Sequence, residues 1–270
     1  MPPIITLTTD FGSRDHYVAA MKGVILSINP AAQIVDISHE VQPYDVLEGA
    51  LILAQAYASF PSSTIHVIVV DSGVGTARRP IAVDAGRHQF VAPDNGVLSF
   101  VYEREERLSV RHITAEHYFL QPVSATFHGR DVFAPVAAYL SKGTALSSLG
   151  EAVRDFVHFD VRRPEAAGPQ RLRGVVLRAD HFGNLVTNIR PSDVPALFAE
   201  CPPPFVIRLG EGEIRSLRTT FGEGSPGEVF AIVGSMGFLE IVVNRGSAAA
   251  TLKVAKASEV TVAWQSAVGP

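Results

Sequence analysis

The chain has 270 residues, 47% of them hydrophobic, a formal net charge of −4 and a single cysteine, Cys201. That length and apolar content suit one large or two medium domains with a real core. The lack of a basic run leaves nucleic acid without an electrostatic footprint, and one cysteine excludes an intramolecular disulfide framework. No apolar run reaches membrane-spanning length, and the N-terminus, MPPIITLTTDFG, enters a strand pattern without the regions of a signal peptide. The expectation is a cytoplasmic protein with neither a membrane nor a nucleic-acid partner.

Ile4 to Thr9 is a β-rich run ending on Thr9-Asp10-Phe11-Gly12. A helix begins after Asp15, near Tyr17, with Val18, Met21, Val24, Ile25 and Ile28 on its apolar stripe. Asn29-Pro30 stops it. Ile34 to Ile37 is a short strand, and Pro43-Tyr44-Asp45 opens a second helix with Val46, Ala50, Leu53, Ala54 and Tyr57 on one face. Val67 to Val70 is a continuous apolar run that ends on Asp71, followed by Gly73, Gly75, Arg78 and Arg79. Such a run reads as a core strand, and an acid where that strand meets a loop is where open α/β sheets place their active sites. Ile81-Ala82-Val83 follows Pro80 at once, so this is strand, loop, strand. It lacks the third glycine of a dinucleotide fold and the Lys-Ser/Thr of a phosphate loop.

Ile81 to Ala85, a turn at Gly86-Arg87 and Gln89 to Ala92 continue the pattern, and Pro93-Asp94-Asn95-Gly96 opens a helix over Val97 to Tyr102. This alternation predicts an α/β layered sheet with helices on both faces. Thr126-Phe127-His128-Gly129-Arg130-Asp131 leads into a helix over Val132 to Leu140, with Asp131 near its positive end. Arg162 to Gln170, RRPEAAGPQ, reads as a linker. Beyond it, Leu172 to Ala179, Leu185 to Ile189, Phe205 to Leu209, Val229 to Val233, Phe238 to Val243 and Thr251 to Val254 are short β-type runs separated by turn signals, predicting an all-β barrel-like module. The expected division is an α/β domain over 1–163, a linker over 164–170 and a β domain over 171–270.

Polar residues gather at strand ends: Asp10, Asp15, Asp71, Arg78, His128, Asp131, Asp180 and Asn184. Singly, each has an ordinary structural use, since Asp-X-Gly is common turn chemistry. Together they allow two readings. Asp10, Asp71, His128 and Asp131 would ligate divalent metals in a phosphoesterase, although no HxH or HExxH occurs. Alternatively, acid, guanidinium and imidazole form a metal-free site for a cationic or polarised small molecule.

The fragments TLTTDFGSRDHY, VQPYDVLEGA, VVDSGVGTARR, APDNG, TFHGRD, DHFGNLVTNI and GSMGFLEIVVNRGSAA, in that order, are similar to the S-adenosyl-L-methionine hydrolases (adenosine-forming), relatives of the bacterial fluorinase and chlorinase. The resemblance spans nearly the whole chain. It implies an N-terminal α/β domain, a C-terminal barrel-like domain, and a homotrimer whose substrate lies between the N-domain of one subunit and the C-domain of its neighbour. The implied reaction is S-adenosyl-L-methionine plus water giving adenosine and L-methionine, with no metal or other cofactor. The hydrolase triad carries over to Asp71, Arg78 and His128, with Arg79 the weaker match beside Arg78. Asp10 matches the ribose-binding acid and Tyr44 the aromatic lining the ribose pocket. Asp15, Asp180 and Ser235 match methionine-end contacts, and Asn184 and Phe221 match adenine contacts.

The halogenating relatives carry a polar, non-acidic triad position and lack FHGRD, so Asp71 and His128 favour water over halide. The long fluorinase insertion is missing at Gly86-Arg87, and Met236 stands where some relatives place arginine. A chlorinase-like transferase and a non-catalytic adenosine-ligand sensor are the competing readings. The sulfonium already leaves well, so the enzyme's task is to hold water in line with C5′ and sulfur. A free aspartic acid titrates near pH ~3.9, too low to make hydroxide in the ground state. The expectation for Asp71 is therefore orientation of water and late proton transfer. A carboxylate at Asp10 suits a diol, and Phe221 offers adenine a flat apolar face.

Overall fold

A computed structural model describes residues 2–160 and 163–265. The chain divides in sequence into two compact units, between Phe159 and Asp160. The predicted linker start at Arg162 lies outside the described residues.

The first unit runs β1 (Ile4–Thr9), α1 (Tyr17–Ile28), β2 (Gln33–Ser38), α2 (Val46–Ala56), β3 (Ile65–Val69), β4 (Pro80–Ala85), β5 (His88–Pro93), α3 (Ser99–Arg104), β6 (Leu108–His112) and α4 (Ala134–Ser141). Its sheet has the order β2-β1-β3-β5-β4-β6. The first four strands are parallel, and β4 and β6 run antiparallel to their neighbours. β3 is buried along its whole length, as a central parallel strand covered on both sides must be.

Its side chains alternate between two cores. Val67 and Val69 pack with Ile5, Leu7 and residues of α1 and α4 such as Met21, Ile25 and Val136. Ile68 packs with Phe90, with Leu53 of α2 and with Val101 of α3. Asp45 caps α2 by accepting the Glu48 N–H. Thr9 of β1 lies opposite Val69 of β3 in register, so Asp10 and Asp71 leave neighbouring parallel strands at the same carboxyl edge of the sheet.

The edge strand β6 has no counterpart among the predicted elements. The helix expected from Val132 also begins differently: Gly129–Phe133 is a π-helical turn, and α-helical winding starts at Ala134.

The second unit runs β7 (Glu165–Ala166), β8 (Arg171–Ala179), β9 (Leu185–Thr187), β10 (Phe205–Leu209), β11 (Gly212–Ile214), β12 (Val229–Val233), β13 (Leu239–Val243), α5 (Ala248–Leu252) and β14 (Glu259–Trp264). The order is β11-β10-β14-β8-β9-β13-β12, and the pairings are antiparallel. The segment just past β11 meets β12: the Arg218 N–H donates to the Ala231 carbonyl at 2.8 Å, and the Ala231 N–H donates to Ser216 at 2.9 Å. The sheet is thereby nearly closed and barrel-like, which covers strand edges that would otherwise stay open.

β7 falls within the segment expected to be linker and pairs with β8. The strand expected at Thr251 to Val254 is corrected: Thr251 and Leu252 end α5, and Lys253 turns left-handed at φ 53°. Ser247 caps the helix by accepting the Ala250 N–H, and three alanines of high helix propensity outweigh the β-branched Thr251 and Val254. Among the described residues, no helix is long and apolar enough to cross a membrane.

Candidate active site

Asp71 lies just past β3, in the ten-residue connection (70–79) that returns the chain to β4 through Arg78. Within the loop the Thr76 hydroxyl donates to the Gly73 carbonyl at 2.6 Å. Gly75 is left-handed at φ 75° and stands against the next segment of the site: a Cβ there would lie 2.2 Å from the Ala125 carbonyl oxygen. The loop and the segment carrying His128 are thus locked by backbone contact.

Arg78 Nε donates to Asp71 Oδ1 at 3.0 Å, and Nη2 donates to Asp71 Oδ2. This is the two-pronged geometry in which guanidinium and carboxylate bind most strongly. Nη2 also lies 3.1 Å from His128 Nδ1. The Asp71 and Arg78 side chains are only 4% and 7% exposed. The guanidinium carbon sits 5.3 Å from the centre of the Phe133 ring.

A guanidinium has no acceptor, so the His128 Nδ1 facing it must accept, and the neutral ring carries its proton on Nε2. Burial pushes His128 below the usual histidine range, and the Arg78 cation adds to this; Asp71 and Asp131 pull the other way. Asp131 is fully buried in the π turn. Its carboxylate accepts from Arg130 Nε at 2.6 Å, Arg130 Nη2 at 3.0 Å and the Ser124 N–H at 2.8 Å. Arg130 also lies over the Phe127 ring at 5.1 Å.

Asp10 Oδ2 accepts the Tyr44 N–H at 2.8 Å. Burial raises the Asp10 pKa; the bond from Tyr44 opposes this and the charge of Asp71 reinforces it. Tyr44 is left-handed, at φ 67°, with 72% of its surface exposed. Asp15 lies exposed on the turn before α1.

Arg79 points away from this group. It pairs with Asp94 at 2.7 Å and Asp155 at 2.9 Å, while Asp94 also accepts the Val157 N–H at 2.7 Å. The residues weighed as metal ligands, Asp10, Asp71, His128 and Asp131, do not make a cluster able to hold an ion, and none occurs among the described residues.

The second unit carries the other predicted residues on three loops. Between β8 and β9, Asp180 Oδ1 accepts the Phe182 and Asn184 N–H groups at 2.9 and 2.8 Å, and Oδ2 accepts from Asn184 Nδ2 at 2.8 Å. Asn184 thus spends a side-chain amide N–H on Asp180. Phe221 begins a short turn between β11 and β12, with its ring partly exposed. Ser235 is exposed in the β12–β13 turn.

Sequence reading passed over Glu240, whose carboxylate stands against the Cα of Gly234 in that turn. Burial raises its pKa, the Asp180 charge adds to this, and Arg178 opposes it. It also passed over Phe133; the only hint there is an aromatic residue five positions after His128.

The class is now defined: a mixed α/β unit with a desolvated carboxylate, guanidinium and imidazole at the carboxyl edge of its sheet, followed in sequence by an antiparallel barrel-like unit. Residues 5–150 match the SAM hydroxide adenosyltransferase N-terminal domain, and residues 174–261 match its C-terminal domain, SAM being S-adenosyl-L-methionine. The chain belongs to the SAM hydroxide adenosyltransferase family.

A (R)-S-adenosyl-L-methionine hydrolase of Salinispora tropica is 40% identical over 96% of this chain and 97% of its own. One from Thermus thermophilus is 38% identical over 92% and 94%, and a fluorinase of Nocardia brasiliensis is 30% identical over 92% of each. A solved structure of an uncharacterized conserved protein from Thermotoga maritima superposes with a TM-score of 0.88 at 38% identity, covering 96% of this chain and 99% of that one.

Proposed function

We propose that the protein hydrolyses S-adenosyl-L-methionine to adenosine and L-methionine. The Salinispora relatives are (R)-S-adenosyl-L-methionine hydrolases, which extends the proposal to the (R) form of the substrate. The observation that carries it is the Asp71–Arg78–His128 set. Water attacks the ribose C5′, the C5′–S bond breaks, and its electron pair stays on sulfur as the methionine thioether. Arg78 occupies one lone pair on each Asp71 oxygen, and the others remain able to accept from the water. Asp71 orients that water and takes its proton as the C–O bond forms. His128, its proton on Nε2, is a donor that fixes the water oxygen. The surroundings are nearly dry, which strengthens each of these fixed dipoles.

Asp10 holds the ribose hydroxyls beside Tyr44. Asp15, Asp180 and Ser235 take the methionine end, and Asn184 and Phe221 the adenine. In this reading residues 1–163 carry the chemistry and 171–270 the adenine and methionine contacts. A homotrimer, with different subunits supplying the two sets, belongs to the same proposal and is read by light scattering. So does a cytoplasmic location, which a free, exposed Cys201 suits.

The test is chromatography of the protein incubated with each sulfonium epimer in halide-free buffer containing chelator. Equimolar adenosine and methionine, absent with Asp71→Ala, is the expected result. Intact ligand with saturable binding would make it a sensor, and a halogenated nucleoside on adding chloride would make it a transferase.

A further inference from the structure

The triad motif names Arg78 but leaves open what keeps so dry a cation in one plane. Asp71 runs along one edge of the guanidinium and His128 Nδ1 meets Nη2. Nη1 is buried and finds no hydrogen-bond partner among the described residues. The guanidinium carbon also sits 5.3 Å from the centre of the Phe133 ring, itself wholly buried. An aromatic face attracts a cation most strongly where both are removed from water.

His128 and Phe133 are five residues apart. At 3.6 residues per turn, five steps along an α-helix rotate about 140° beyond a full turn, which would send the two side chains to different faces. Here the segment is wound as a π turn over Gly129–Phe133, with the Ala134 N–H donating to the Gly129 carbonyl five residues back. In that wider winding, positions five apart come near one face. The turn is also wedged: a Cβ on Gly129 would stand 3.3 Å from Met21 Sδ and from the Phe11 ring. Single π turns beside α-helices are enriched at functional sites.

We infer that Phe133 is a positioning residue for the hydrolytic reaction: the π turn brings its ring and His128 to the same guanidinium, and together they fix the plane in which Arg78 holds Asp71. The inference rests on the hydrolase reading of the site.

Its test is the full-length protein with Phe133 replaced by phenylalanine carrying one, two or three ring fluorines, which weakens the negative face while nearly keeping the shape. Turnover is measured with the (R) substrate, and His128 is titrated by NMR in the same samples. The expected result is a stepwise loss of kcat, about tenfold at three fluorines, with KM unchanged and the His128 midpoint climbing as Arg78 loosens. Phe133→Leu, which keeps apolar bulk, should behave like the most fluorinated protein. A flat kcat and a flat midpoint across the series overturn the inference and leave Phe133 as core filling. If the parent protein turns nothing over while the His128 midpoint still climbs, the positioning stands and the hydrolase reading fails.

Discussion

Arg78 Nη2 lies 3.1 Å from His128 Nδ1, so a permanent cation fixes which ring nitrogen of the histidine can carry a proton. The same group binds Asp71 through two nitrogens. Lysine offers a point charge in place of a planar fork. Arg78→Lys should therefore lose about 10²–10³-fold in kcat, the scale of removing one preorganised donor, with KM little changed. Steady-state kinetics check this; a kcat within tenfold of the parent would remove the fork from the mechanism.

The acid side of the pH profile follows from His128. Its folded pKa is depressed by burial and by Arg78, so the ring is neutral at pH 7 and stays neutral below the ordinary value of about 6.5. Protonation at still lower pH puts a second cation against Arg78. The plot of kcat/KM against pH should stay level as pH falls through ~6.5 and drop only below it. An acid limb centred above 6.5 would contradict the neutral, Arg78-facing imidazole.

Gly75 is both left-handed and pressed on the Ala125 carbonyl. Gly75→Ala adds backbone strain and a clash with atoms that cannot rotate away. Loss of more than about 1 kcal/mol of stability is expected, together with a fall in turnover, because the same contact registers Asp71 and Arg78 against His128. Urea denaturation and kinetics on one preparation test both; unchanged stability would show that the loop moves aside.

Within β3, His66 is fully buried, bonded through Nδ1 to Thr6 at 2.7 Å, with its ring 5.1 Å from that of His88. Burial pushes its pKa down to about 3, and His88 adds to the effect. An unfolded chain takes up this proton below pH ~6.5. Between those values the unfolded state binds more protons, so stability is full above ~6.5 and declines as pH falls toward 3. By pH 4.5, His66 alone should account for about 2–3 kcal/mol. Urea midpoints at pH 7.5 and 4.5 should lie further apart in the parent than in His66→Asn, and equal gaps would refute the assignment.

The first half of the chain was legible because β1 and β3 are almost wholly buried and rich in β-branched residues, and because α1 and α2 carry plain stripes and stops. Edge elements were harder. Four of the five β6 side chains are exposed or only partly buried, since one face and one edge meet few neighbours. β14 alternates over only six residues and is missing from the runs read as strands. At α5, a capping serine decided against the β-branched residues that suggested a strand. Asp71, Arg78 and His128 could be named from their motifs, but their mutual contact depends on a close backbone approach at Gly75 and on π winding at Gly129–Phe133, neither of which leaves a periodic trace. Arg79 adjoins Arg78 yet serves Asp94 and Asp155, a difference that adjacency in sequence hides.

Tyr44 combines a left-handed backbone with a ring left largely in water. For an L-residue this costs about 1–2 kcal/mol, and the N–H that Asp10 accepts would come equally well from glycine or asparagine. A codon library at position 44, sorted for survival after heating, should fill with those two. The same library sorted for adenosine output should keep aromatics. The distance between the two enriched populations would be a direct reading of what selection has traded at this residue.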